Sequence, residues 1–182
     1  MGKIFKSVAD AALRSVEGEV CQQCERCEVP TYRYTGEIID PQKAADTLLA
    51  QEEPEVHYLC ADCIHGGNVR RTDTWAVEHS VQRLAQDPQK AWREFHQLPD
   101  APLFLQGRLD WPLCCDTWCE FVACPASLQE LLAVQQTHQY WENGPGATPR
   151  DFRSSGPPES LREISLFACA SCARHYYTDQ YS

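Results

Sequence analysis

The chain has 182 residues, a formal net charge of −10, and 43% hydrophobic and 23% charged residues, values that fit a globular protein of one domain or two small lobes. The acidic balance argues against a nucleic-acid-binding surface, because phosphate contacts supply most of that affinity. Eleven cysteines are many for this length, and an odd number cannot pair fully within one chain.

The redox compartment decides what so many cysteines do. The first twenty residues lack the apolar core and small-residue cleavage site of a signal peptide. No stretch approaches the roughly 18 to 20 apolar residues that span a bilayer. We therefore expect a cytoplasmic protein without a membrane span, in which clustered cysteines bind metal or do chemistry.

The chain begins with a predicted packing helix in residues 1–19, because apolar side chains recur at helical spacing over 3–16 and Gly18 follows. The first predicted zinc lobe covers residues 20–72. Its alternating aromatic segment at 32–36 predicts a strand.

The same lobe continues with a helix and a second strand. Asp40 is a typical N-cap and Pro41 a typical first helical residue, which predicts a helix over 41–51. Residues 56–59 predict a strand that leads into the next cysteine pair.

Residues 73–98 predict a helical connector. Apolar periodicity favours one helix over 75–86, and Asp87 with Pro88 repeats the cap signature at the start of another.

The second predicted zinc lobe covers residues 99–182. Ser127 and Glu130 match a capping box that opens a helix. Residues 143–160 are rich in Pro and Gly and predict a long loop. Residues 161–180 predict a strand, a Cys-x-x-Cys knuckle and a second strand. The expected fold class is thus α+β, with two ribbon-like zinc-knuckle lobes joined and flanked by helices.

Cysteine spacing predicts two structural zinc ions. Zinc takes four ligands at tetrahedral corners, and a Cys-x-x-Cys turn supplies two of them. One site would pair two such turns, and the other would pair a Cys-x-x-x-Cys with a Cys-x-x-Cys. Both would be closed sites. The predicted ligands are Cys24, Cys27, Cys60 and Cys63 in the first lobe, and Cys115, Cys119, Cys169 and Cys172 in the second.

Two other uses of the cysteines stay open. The run Cys21-x-x-Cys24-x-x-Cys27 matches the opening of an iron–sulfur motif, although Thr31 stands where the fourth cysteine belongs. A remote Cys124 before a proline allows an iron–sulfur cluster on Cys21, Cys24, Cys27 and Cys124 as the minor alternative. A thiol- or metal-dependent enzyme using Cys21 or Cys114 is the other.

The order of the short motifs resembles the CbrC family, small bacterial proteins linked to colicin tolerance. The matching motifs are Cys24-x-x-Cys27, Tyr34-Thr-Gly, Leu59-Cys-x-x-Cys-Ile64, Gly107-Arg-x-x-Trp111-x-x-Cys-Cys115-x-x-x-Cys119-x-Phe121 and Leu166-Phe-x-Cys-x-x-Cys172. Carried over by position, the resemblance implies the same eight ligands. The chain departs from the family pattern at Cys114, where a histidine is expected, and at Ala123, where a glycine is expected.

Neither a nucleotide-binding loop nor a hydrolase, metalloprotease or deaminase motif occurs. This absence predicts a non-enzymatic zinc-binding interaction protein, and the resemblance to the CbrC family implies that it confers tolerance or immunity to a bacteriocin or nuclease toxin. Its acidic surface would meet a basic protein partner such as a nuclease toxin. The alternatives are the enzyme described above and a nucleic-acid-binding regulator that uses its zinc lobes.

Overall fold

The computed structural model describes residues 1–40, 55–100 and 110–180. Over these ranges the protein combines helices with short, mostly antiparallel strands, and two lobes each contain a four-cysteine group. The predicted α+β fold class is therefore confirmed. None of the helices in the described ranges is both long and apolar enough to cross a membrane.

The first lobe is built on a three-stranded antiparallel sheet in which β1 is central. The elements are β1 (Thr31–Ile38), β2 (Glu55–Cys60), a short helix α1 (Ala61–His65) that follows β2 directly, and β3 (Val69–Arg71). The strands predicted at 32–36 and 56–59 are confirmed. The helix predicted over 41–51 lies outside the described residues.

Two helices form within residues 73–98, where apolar periodicity and the cap signature predict them. They are α2 (Trp75–Leu84) and α3 (Pro88–His96). Val77, Val81 and Phe95 are buried, which is what apolar residues at helical spacing require. The Asp87 carboxylate accepts a hydrogen bond from the Lys90 amide at 2.9 Å, so the predicted N-cap is formed.

The second lobe contains a small hairpin and a four-stranded sheet. The hairpin pairs β4 (Leu113–Cys114) with β5 (Thr117–Trp118). The sheet has the order β6-β8-β9-β7. Its strands are β6 (Glu120–Ala123), β7 (Gln139–Tyr140), β8 (Ile164–Ala168) and β9 (His175–Asp179), and the helices beside it are α4 (Leu128–Thr137), α5 (Phe152–Ser155) and a 3-10 turn (Leu161–Glu163).

Local sequence signals in this lobe are also confirmed. The Ser127 hydroxyl accepts from the Glu130 amide at 3.2 Å and caps α4. The final segment forms strand, knuckle and strand. The Pro- and Gly-rich segment 143–160 holds little regular structure, although the short helix α5 lies within it.

The predicted N-terminal helix over 3–16 is not formed. The segment makes turns and isolated bridges instead. The Phe121 amide donates to the Ser7 carbonyl at 2.8 Å, and the Ala9 amide donates to the Phe121 carbonyl at 2.9 Å. The segment thereby covers part of the exposed edge of β6 and buries Phe5 and Val8. Pairing of an open sheet edge outweighs a weak helical pattern here.

One hydrophobic core runs through both lobes. It contains Leu59 from the first lobe, Val81 from the connector and Phe167 from the second. The Trp118 indole N–H donates to the Ala91 carbonyl at 2.9 Å and so ties the hairpin to α3. Several cysteines are buried members of this core, which places both four-cysteine groups at its margin.

Candidate metal centres

The first group consists of Cys21, Cys24, Cys60 and Cys63, whose sulfur atoms all lie within 4.8 Å of one another. The Sγ atoms of Cys24 and Cys60 are 3.8 Å apart. We call this group the first centre. It joins the segment before β1 to the junction of β2 and α1.

A tight turn presents the first two sulfurs. The Glu25 amide donates to the Cys21 carbonyl at 2.7 Å, and the Cys21 amide donates to the Arg26 carbonyl at 3.1 Å. Glu25 has a left-handed φ of 61°, which only a small share of non-glycine residues adopt. This turn lets the side chains of Cys21 and Cys24 converge. The Cys60 amide also donates to Cys21 Sγ at 3.2 Å.

The Arg26 guanidinium lies against the first centre. Its Nε is 3.3 Å from Cys24 Sγ and its Nη2 is 3.5 Å from Cys60 Sγ. The same Nη2 donates to Asp62 at 2.8 Å, which holds the guanidinium in place. Burial alone would raise the pKa of Cys24, but hydrogen bonds from Arg26, Cys21 and Cys63 lower it to about 6.

The second group, here called the second centre, consists of Cys114, Cys115, Cys169 and Cys172. Cys114 Sγ lies 3.8 Å from Cys115 Sγ and 3.7 Å from Cys172 Sγ. Cys114 and Cys169 are buried, whereas Cys115 and Cys172 are exposed. This centre joins the β4–β5 hairpin to the β8–β9 connection.

The knuckle between β8 and β9 repeats the turn of the first centre. The Ala173 amide donates to the Cys169 carbonyl at 2.9 Å, and the Cys169 amide donates to the Arg174 carbonyl at 2.8 Å. Ala173 has a φ of 55°, like Glu25. The hydrogen bond from the Arg174 backbone lowers the pKa of Cys172 to about 7.

The other two sulfurs come from adjacent residues in a hairpin turn. Cys114 pairs with Thr117, which leaves Cys115 and Asp116 as the two turn residues. Their φ angles are 53° and 54°, the positive values that a type I′ turn requires at both positions. The Tyr176 hydroxyl donates to Cys114 Sγ at 3.1 Å, and burial raises the pKa of Cys114 to about 12.

The sulfur spacing matches a single ion at the middle of each group. Four thiolates at about 2.3 Å from one zinc ion, at tetrahedral corners, lie about 3.8 Å from one another. One sulfur pair in the first centre and two in the second are separated by 3.7 to 3.8 Å, and all other pairs within a centre lie within 4.8 Å. A disulfide would need about 2.05 Å, and all of these cysteines are free thiols. Each group could therefore hold a metal ion, and four sulfurs would complete its coordination.

The structure brings together most, but not all, of the sequence-predicted ligands. Cys27 is exposed and lies outside the first centre, where Cys21 stands instead. Cys119 is buried next to Cys169 but lies outside the second centre, where Cys114 stands instead. The predicted ligands that do belong to the two groups are Cys24, Cys60, Cys63, Cys115, Cys169 and Cys172.

A sequence signal for Cys21 existed. Residues 21–26 and 169–174 share the pattern Cys-x-x-Cys-x-Arg, and both fold into the same turn. The overlapping pair Cys24-x-x-Cys27 lacks the arginine two positions later. The shared pattern therefore distinguishes the knuckle from its neighbour.

The iron–sulfur set of the sequence analysis is not assembled as one four-cysteine group in the described part of the chain. Cys21 and Cys24 belong to the first centre, and Cys27 and Cys124 belong to neither centre. Cys124 lines a cavity beside Arg162 instead.

Comparisons with protein-family models, with curated proteins and with solved structures give no match for this chain.

Proposed function

We propose that each centre binds one structural zinc ion through four thiolates. The convergence of four sulfurs within 4.8 Å in each centre carries this proposal, together with three pairs at 3.7 to 3.8 Å. An all-sulfur tetrahedral set suits zinc, and a set of four protein ligands leaves no position for a substrate. The ions would act as cross-links between chain segments that are distant in sequence, a role that disulfides cannot fill in a reducing compartment.

Metal content tests the first part of the proposal. Full-length protein purified without added metal should contain two zinc ions per chain by elemental analysis and show no visible absorption. A coloured protein with iron and sulfide would contradict it in favour of an iron–sulfur centre. Protein in which cobalt replaces zinc provides a positive control, because its absorption spectrum reports whether four thiolates bind the metal ion.

We further propose that the zinc-loaded protein is a cytoplasmic, non-enzymatic interaction protein that confers tolerance or immunity to a bacteriocin or nuclease toxin. Two tetrathiolate zinc sites would each add a charge of about −2 to a chain that already carries −10. Such a surface attracts a basic partner and speeds its association. The resemblance to the CbrC family supports the same proposal.

Binding to a basic nuclease domain tests the second part. We expect affinity that falls with salt, and protection of cells that express the toxin. Glu17, Glu19 and Glu28 are exposed beside the first centre in sequence, so their replacement by glutamine should slow association. A matched control replaces Glu55, Glu78 and Glu159, which are also exposed. Failure to bind or neutralise any nuclease toxin encoded beside the gene would remove the proposal.

The alternatives have their own tests. A thiol enzyme would need Cys21 or Cys114 as its nucleophile, but both are buried within four-sulfur groups, which supports a ligand role. Activity that survives a Cys21→Ser/Cys114→Ser double substitution would exclude these nucleophiles. Salt-sensitive binding to DNA or RNA would favour the regulator instead.

A further inference from the structure

A cavity of about 630 Å³ lies where the N-terminal segment meets the edge of the second lobe's sheet. Its walls are formed by Ala11, Ala12 and Arg14, by residues 121–125, and by Arg162. None of the cysteines of the two centres lines it. The volume lies within the range of about 300–1,000 Å³ that is typical of small-molecule sites.

The charge of this cavity is opposite to that of the chain. Among the described residues, Arg14 and Arg162 are the only charged ones that line it, and none of the described lining residues is acidic, although the chain carries −10 overall. Burial raises the pKa of the Cys124 thiol to about 11, against the opposing charge of Arg162, so the thiol is neutral at pH 7. The wall therefore presents two positive charges.

Both guanidinium groups are available to a ligand. Within the described residues, neither Arg14 nor Arg162 has a carboxylate partner, whereas Arg26, Arg70 and Arg71 are each paired with one. The other described lining residues are small or apolar and include alanine, valine and proline side chains and the Cys124 thiol, whereas Phe121 is almost fully buried.

We propose that this cavity binds a small organic anion in which a carboxylate, sulfonate or phosphate group is joined to an apolar ring or chain. The planar fork of arginine donates two parallel hydrogen bonds to such a group. The apolar body would contact the alanine, valine and proline side chains of the wall. This site shares no lining residue with the two metal centres.

Anilinonaphthalene sulfonate is a suitable probe because it joins an apolar ring system to one sulfonate. Phenylnaphthylamine has the same ring system without the charge. Titration of zinc-loaded, full-length protein at low salt should show fluorescence enhancement by the anionic probe and much weaker binding of the neutral probe. An Arg14→Gln/Arg162→Gln variant should lose about tenfold or more in affinity for the anionic probe.

Two further variants keep the test sharp. Ala11→Trp fills the cavity from an exposed position and should weaken both probes without changing the charge. Arg153 lines a shallow apolar depression on α4, so Arg153→Gln is the matched control and should leave affinity unchanged. Zinc content and thermal midpoint verify that each variant is folded.

Three results would overturn the proposal. They are absence of probe binding to the wild-type protein, equal affinity of the double arginine variant and the wild type, and equal affinity for the charged and neutral probes. None of these results bears on zinc binding, so the two proposals fail independently.

Discussion

The two centres begin with the same knuckle and complete it in different ways. In both, a Cys-x-x-Cys-x-Arg turn closes through the same pair of backbone hydrogen bonds. The first centre adds cysteines from a strand end and the helix that follows, Cys60 and Cys63. The second adds adjacent cysteines from a two-residue hairpin. The same knuckle thus supplies two ligands in both lobes, and the surrounding fold determines which elements supply the other two.

The environments of the two centres differ more than their sulfur geometry does. Arg26 brings a positive charge within hydrogen-bonding distance of two sulfurs in the first centre. In the second, the neutral hydroxyl of Tyr176 donates to one sulfur, and Cys115 and Cys172 are exposed. Arg174 also acts on the second centre, through a hydrogen bond to Tyr176 and through its charge near Cys172 and Cys114. The direct hydrogen bonds from Arg26 and the better shielding of the sulfurs favour retention of a metal ion by the first centre.

Substitution of the ligands should have the largest effect and tests the two sets directly. Cys21→Ser and Cys114→Ser should each reduce zinc from two ions to one and lower the thermal midpoint strongly, since structural zinc contributes on the order of 10 kcal/mol. Cys27→Ser and Cys119→Ser are the matched neighbours and should keep both ions. Cys27 is exposed, so its substitution should cost less than about 0.5 kcal/mol. Cys119 is buried, so a new hydroxyl there should cost about 1–3 kcal/mol.

Loss of zinc in Cys27→Ser with full retention in Cys21→Ser would reverse the ligand assignment for the first centre. The corresponding result for Cys119 and Cys114 would do so for the second. Elemental analysis and thermal unfolding measured on the same samples separate metal loss from simple destabilisation.

Much of the fold could be predicted from local sequence signals. The caps at Asp87 and Ser127 and the alternation in β1 depend on neighbouring residues, so they can be read without tertiary information. The N-terminal segment could not be predicted in this way. Its conformation depends on Phe121, which lies more than a hundred residues away and offers an open strand edge.

The metal ligands were ambiguous for a similar reason. In Cys21-Gln-Gln-Cys24-Glu-Arg-Cys27, two overlapping pairs both satisfy the Cys-x-x-Cys spacing. The left-handed φ of Glu25 and the hydrogen bond from the Cys21 amide to the Arg26 carbonyl select the pair Cys21 and Cys24. Cys114 and Cys115 are adjacent in sequence, and adjacent side chains of a strand point in opposite directions. The hairpin turn nevertheless brings their two sulfurs together.

The rate of zinc release should differ between the centres. With excess chelator, we expect two kinetic phases, with the second centre losing its ion first because Cys115 and Cys172 are exposed. Absorbance of a zinc-sensitive dye follows the release. Cys21→Ser and Cys114→Ser variants, which keep one centre each, assign the phases. A single phase, or earlier loss from the first centre, would show that exposure does not govern release.

Removal of the Arg26 charge should make the first centre resemble the second. Arg26→Met should speed zinc release from the first centre by about 10- to 100-fold, a typical effect of removing a group that supports a metal ligand. Arg174→Met is the matched comparison. The described Arg174 side chain acts on the second centre through Tyr176 and through its charge rather than through a hydrogen bond to a sulfur, so its substitution should change release from the second centre less. Equal effects of the two substitutions would mean that the hydrogen bonds to Cys24 and Cys60 contribute little.

The last prediction concerns how stability changes with pH through two carboxyl groups, the buried Asp110 and the partly buried Asp100. Against the effect of burial, Arg71 holds the pKa of Asp100 below its ordinary value. In the second lobe, burial raises the pKa of Asp110 to about 7. The folded state therefore binds the Asp110 proton more tightly than the unfolded chain does. Its contribution to stability is largest below pH 4 and falls as pH rises to about 7, by roughly 1.4 kcal/mol per unit of pKa difference.

The Asp110→Asn variant isolates this contribution from the pH dependence of the zinc thiolates, which both proteins share. We expect the variant to gain stability relative to the wild type as pH rises from about 4 to 7, measured by denaturant unfolding at fixed zinc. The gain should be reduced by any weakening of the hydrogen bond that the Asn143 backbone amide donates to the Asp110 carboxylate at 2.7 Å. An Asp100→Asn variant should show the opposite trend, because the charged Asp100 carboxylate of the wild type stabilises the fold. Parallel pH profiles for all three proteins would mean that neither carboxyl group changes its pKa on folding.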